Sequence, residues 1–215
     1  KLSEPYRLVM VAVLGAAVGI TGLWIAANSY PGTEGLFGFY CSNARILALN
    51  LLPPIVLALF GYFAFLRAWA GVIVSAVPTL LLVISNYFKL RLRDEPVVFS
   101  DLALLRTAGG IAGKYDITPT VEMWMALALC LCLCALARYF VPRRAVRRQA
   151  RLLGIDLCFV CAALVLVAGF SDAAYVADDA PEGLNTKLYT EDSVAHGCFY
   201  PFLHIAKTAS RRTVT

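Results

Sequence analysis

The sequence predicts an all-α integral membrane protein, with five transmembrane helices, one short interfacial amphipathic helix and a polar tail. Three observations carry that expectation. Hydrophobic residues make up 60% of the 215 residues and charged residues only 15%, with a mean hydropathy of +0.72. A soluble domain usually carries about a quarter charged residues. The apolar residues fall into five runs, each near the roughly 20 helical residues that a bilayer core requires. A single long polar stretch, residues 86–115, interrupts them. The start at Lys1 rather than Met is expected of a region cut from a longer chain.

The first span is residues 8–27. Gly15, Gly19 and Gly22 give it small faces on which another helix can approach closely. Its apolar run is too long for the core of a cleaved signal peptide, so an uncleaved helix is expected. Residues 28–43 follow, with Tyr30, Phe37, Phe39 and Tyr40 suited to the headgroup boundary. The second span, 46–66, contains Pro53 and Pro54, which remove backbone donors and are expected to kink it. A very short turn at Arg67-Ala68-Trp69 then sends the third span, 71–88, back antiparallel.

The third span runs into the polar stretch NYFKLRLRDEPVVFSDLALL. Pro96 disfavours helical geometry in the residue before it, so the helix is expected to end by Glu95. Ser100 is placed to cap a second, short helix with Asp101 at its positive end. Leu102, Leu105 and Ala108 then make one apolar face, the pattern of an interfacial helix over 100–108. The fourth span is 121–140, with Thr118 or Thr120 as its cap, and the fifth is 152–170. Asp156 sits one turn inside the fifth, where an ion pair with Arg151 or Arg148 is the plainest account of it. Residues 171–215 form an acidic tail containing Pro and Gly, with a late apolar patch at Phe199, Phe202, Leu203 and Ile205.

Charge sets the expected orientation. Arg138, Arg143, Arg144, Arg147, Arg148 and Arg151 crowd one connection with no acid between them. With the N-terminus inside, inner segments hold nine bases against one acid, and outer segments ten bases against twelve acids. That satisfies the positive-inside rule and sends the tail outside. The overall charge of +5 is therefore a topology signal, with no nucleic-acid footprint.

Cysteines and histidines point to no site of their own. Cys130, Cys132, Cys134, Cys158 and Cys161 lie in apolar runs and read as small packing residues. Cys41 and Cys198 share the external segments, and the sequence leaves open whether they pair. His196 and His204 lack partners at metal-ligand spacing, and Gly109-Gly110 lacks the features of a phosphate loop. No catalytic residue and no metal ligand is assigned. The candidate binding surface is Lys89, Arg91, Arg93, Asp94, Glu95 and Asp101. Arginines there can grip lipid phosphate, and the acids can brace them or accept from a hydroxyl. From the residues alone, a network of surface ion pairs is the plainer account.

The order Asn-Tyr-Phe-Lys, Arg, Glu-Pro and Phe-Ser-Asp-Leu across 86–102 resembles the membrane portion of lipoteichoic acid synthase-like phosphoglycerol transferases, members of the sulfatase superfamily. His196-Gly197-Cys198-Phe199-Tyr200-Pro201-Phe202-Leu203 is similar to that family's passage after the fifth helix. The resemblance implies a bacterial plasma-membrane anchor with a cytoplasmic N-terminus and an extracellular C-terminus. It implies a downstream extracellular catalytic domain that transfers glycerol phosphate from phosphatidylglycerol. That domain would supply a catalytic threonine and a divalent metal, usually manganese, and none of those residues maps onto this chain. The expected partners are the bilayer, a phosphatidylglycerol-type lipid and the protein's own catalytic domain. The competing expectation is a non-enzymatic membrane module, either a small transporter or an assembly partner. Five dissimilar spans lack the inverted halves of a transporter.

Overall fold

The computed structural model describes residues 4–30, 35–98, 101, 118–141, 148–169, 184, 188–197, 199 and 202. Among them the regular structure is entirely helical: α1 (Glu4–Ala27), α2 (Leu36–Ser42), α3 (Ala44–Phe65), α4 (Ala68–Arg93), α5 (Val121–Phe140), α6 (Arg148–Gly169) and α7 (Tyr189–Ala195). Four of these, α1, α3, α4 and α5, are long and apolar enough to cross a membrane. The chain is a multi-pass membrane protein. α6 has 22 residues, with Arg148 and Arg151 in its first turn and Asp156 further on.

Close packing begins where side chains are smallest. A Cβ on Gly15 of α1 would stand 2.9 Å from both Ala58 Cβ and Ile55 Cα of α3, and one on Gly19 would meet Leu51. On Gly22 it would meet Thr79 and Val83 of α4. The glycines therefore let α1 seat against both neighbours, as their spacing predicted. Val11, Leu14, Val18, Ala58, Tyr62, Val72, Ala76, Cys130, Leu133 and Ala137 form the core where α1, α3, α4 and α5 meet. Only one stripe of α5 is buried, at Met123, Ala126, Cys130, Leu133 and Ala137. Its other faces expose Trp124, Leu127, Leu131 and Tyr139, as suits a helix bordered by lipid.

Several boundaries differ from expectation for identifiable reasons. α3 starts at Ala44 because the Asn43 side chain accepts from the backbone N–H groups of Arg45 and Ile46. It continues through Pro53 and Pro54 to Phe65. The turn into α4 is shorter than expected: Leu66 takes a left-handed conformation (φ 54°), Arg67 is extended, and α4 begins at Ala68. Just beyond that turn the two backbones nearly touch, with Ala58 O 2.4 Å from where a Gly71 Cβ would stand. α4 runs past the apolar span edge at Phe88 to Arg93, ending before Glu95 as Pro96 requires. Leaving the apolar layer does not end a helix, and Leu90 stays buried against neighbouring elements.

α6 lies along α3 in the opposite direction. Near its start, Gly154 meets Phe63, and Phe159 further on packs edge-on against Phe60, with ring centroids 5.6 Å apart. Arg151 donates through Nε to Phe63 O (2.9 Å) and through Nη2 to Ala64 O, at the C-terminal end of α3. It thus neutralises carbonyls that the helix end leaves without partners. This corrects the expected Arg151–Asp156 pair: Asp156 is exposed, and Arg151 serves another helix. The expected interfacial helix over 100–108 lies outside the described residues except Asp101. Arg143, Arg144, Arg147 and Cys198 lie outside them as well, so the Cys41–Cys198 question falls there too.

Candidate functional site

The polar residues singled out in the sequence gather where α4 ends. Asp94 takes a left-handed conformation (φ 53°), and its N–H still bonds Leu90 O at 3.0 Å. That reversal turns the chain back along the last turn of α4. Asn86 Oδ1 accepts from Val97 N at 2.9 Å. Lys89 Nζ donates to Pro96 O at 3.0 Å and to Asp101 Oδ2 at 2.7 Å, with Glu95 further off at 3.8 Å. Asp101 Oδ2 also accepts from Val98 N at 2.8 Å. Two side chains on α4 therefore hold the returning strand of backbone, and Asp101 closes the loop from the other side.

The six candidates divide into two groups. Lys89 and Asp101 are mostly covered, with side chains 17% and 28% exposed, and they brace the turn. Arg91 and Arg93 are exposed beside them, with the Arg91 guanidinium 5.2 Å from the ring centre of Tyr87. Asp94 and Glu95 are exposed as well. Chemically, the turn is a rigid base that displays two guanidinium groups. Such groups can hold phosphate oxygens in paired hydrogen bonds.

Against this turn stands a second feature that the sequence did not reveal. Within the tail, residues 189–195 form α7, which packs into the end of the bundle. Val194 joins Leu23, Ala27, Leu36, Tyr40, Ile46 and Leu90 in one apolar cluster. Thr190 Oγ1 donates to Asp94 O at 2.8 Å, which ties α7 to the charged turn. Tyr40 donates its hydroxyl to Val194 O. Tyr40 is 1% exposed, so it is a buried anchor and not the headgroup-facing aromatic expected of it.

The tightest contact is made by Asn50. Its Nδ2 donates to Ile46 O and to His196 O, each at 2.9 Å, and its Oδ1 accepts from Phe199 N at 3.0 Å. Asn50 and His196 are 1% and 3% exposed. Gly197 between them has φ 84°, and a Cβ there would stand 2.8 Å from both amide atoms of Asn50. Only glycine satisfies the backbone conformation and the close approach together. His196 Nδ1 is 2.8 Å from Asp192 O and 3.3 Å from Asp192 Oδ1, so the histidine belongs to its own helical turn.

Electrostatics at this end are mixed in sign. Partial burial, with Asp94 and Glu191 nearby, pushes the Tyr30 hydroxyl above its ordinary pKa of 10.0. Among the described residues no group of three or more His, Cys, Asp or Glu side chains is placed to hold a metal ion. No family model, curated protein or solved structure matches the chain.

Proposed function

We propose that this chain is the membrane-embedded region of a phosphoglycerol transferase of the lipoteichoic acid synthase-like kind. In this reading it anchors an extracellular sulfatase-like domain in a bacterial plasma membrane and helps present a phosphatidylglycerol-type lipid to it. The observation that carries the reading is spatial. The two stretches that resemble the family are far apart in sequence, yet the hydrogen bond from Thr190 to Asp94 and the Asn50 contacts bring them to one end of the bundle. That end would face outside, with the N-terminus and the arginine-rich connection inside.

α6 is then the fifth span. Arg151 is fastened at the C-terminal end of α3, while the tail is fastened to Asn50 near its N-terminal end. The chain must climb the bundle once between those points, and α6 is antiparallel to α3. Its 22 residues reach about 33 Å at 1.5 Å per residue, enough for a bilayer core.

The test uses the enzyme with its downstream domain, reconstituted in phosphatidylglycerol vesicles. Arg91→Glu with Arg93→Glu is expected to lower transfer from the vesicle lipid about tenfold, and to spare transfer from a water-soluble phosphoglycerol analogue. The exposed guanidiniums are available to the lipid and do not brace the fold. Equal transfer from vesicles by variant and wild type would refute the lipid-presenting role. A coding sequence that continues beyond Thr215 without a sulfatase-like domain would overturn the family assignment itself.

A further inference from the structure

The tail contact lies deeper than a surface contact should. Asn50 stands six residues inside α3, which begins at Ala44. At 1.5 Å per residue this places it about 9 Å in from the helix end. The backbone of His196 and Gly197, past the end of α7, is therefore non-helical chain carried down among the helices, and the Phe199 N–H reaches the same amide. Irregular backbone at such depth is tolerated only where protein supplies its hydrogen bonds. Asn50 does so from both sides of one amide, giving to His196 O and accepting from Phe199 N. An asparagine in the middle of an apolar helix is costly unless its donors and acceptor are used. Here they are used by a segment about 146 residues away.

We propose that residues 189–197, together with Phe199, form a re-entrant strap, received by Asn50, that plugs the polar end of the bundle and fixes where the chain leaves it. Three attachments share the work: Asn50 at the bottom, the Tyr40 hydroxyl on Val194 O in the middle, and Thr190 on Asp94 O at the rim. Gly197 is what lets the bottom contact close. Whatever follows Phe199 starts from a set point beside α3, not from a loose linker. The consequence for a downstream domain rests on the function proposed above. The strap itself does not, because it is a property of this chain alone.

Hydrogen–deuterium exchange on the whole chain in lipid nanodiscs tests it without any activity assay. In the wild type, amides of 192–199 should be protected. Asn50→Leu should speed their exchange roughly tenfold or more, because it removes the receptor and leaves buried backbone groups unsatisfied. Peptides from α1 and α4 should exchange as in the wild type. Gly197→Ala should release the same segment. Tyr40→Phe, which removes one hydroxyl and leaves the bundle core untouched, should loosen it by a smaller factor and covers the case in which Asn50→Leu fails to fold. Unchanged tail exchange in both Asn50→Leu and Tyr40→Phe would overturn the strap. So would equal acceleration in the tail and in α1, since Asn50 would then be an ordinary core residue.

Discussion

Replacing Lys89 by Met should loosen the turn after α4 while leaving the bundle intact. Methionine keeps the apolar stem and removes the ammonium, so Pro96 O loses its donor and Asp101 keeps only Val98 N–H. The magnitude follows from exposure. Fully exposed ion pairs contribute about 0–1 kcal/mol, whereas breaking a buried pair costs about 3–5 kcal/mol. The Lys89–Asp101 pair is 2.7 Å long and 17% and 28% exposed, between those limits. A cost of about 1–3 kcal/mol is expected, which is roughly a 5- to 150-fold rise in local opening. The Val97 and Val98 amides report it, because both are held inside the turn. Arg91→Met is the control: it removes an exposed guanidinium that sits above Tyr87 and near Glu122, the ring contact being worth about 0.5–1 kcal/mol at an exposed site.

Amide exchange of Val97 and Val98 in nanodiscs is the assay, with Asp101→Asn and the double variant completing a cycle. Coupling of about 1 kcal/mol or more is expected between Lys89 and Asp101, since they share one contact. If the turn exchanged at the wild-type rate in Lys89→Met, the brace would be decorative. If Arg91→Met loosened it as much, the division between framework and displayed residues would be wrong. That division matters because it selects Arg91 and Arg93, and not Lys89, as the groups that the proposed lipid-presenting role would use.

Two further outcomes are expected. Gly15→Leu should destabilise the bundle by about 1–3 kcal/mol or more through overpacking, since even its Cβ would stand 2.9 Å from Ala58 and Ile55. Gly38→Ala, with nothing within 4 Å, should be neutral or stabilising by up to about 1 kcal/mol, and thermal melts in detergent compare the two. A single cysteine at position 145, in a background without native cysteines, should resist an impermeant thiol reagent in intact cells. Labelling there would reverse the proposed orientation.

The helices were legible because length and apolar composition are local quantities. Their ends were legible where a residue dictates backbone geometry. Lys89, Arg91 and Arg93 mark the edge of the apolar layer, so the span was placed at 71–88, while Pro96 limited the helix itself to Glu95. The backbone turns at Asp94, within that limit. The charged stretch was recognisable as a polar turn at the end of a helix, but not the split within it. Lys89 and Arg91 are two positions apart and so project about 200° apart around a helix. Which of those directions meets the returning chain depends on Val97, Val98 and Asp101, and composition does not fix where they fold back.

The tail was illegible for a different reason. Its seven-residue helix carries Glu191 and Asp192 in its first turn and has too few apolar residues to show a buried face. The signal that existed was split between two places. Asn50 is a lone amide in an apolar helix, and Gly197 is a glycine beside a histidine in a polar tail; each alone has an ordinary explanation. Together they are complementary: a buried amide needs a backbone to bind, and a backbone reaching that amide needs a residue without Cβ at positive φ. A polar side chain in a membrane helix is therefore best read as a question about its partner, and here the partner is the chain's own exit.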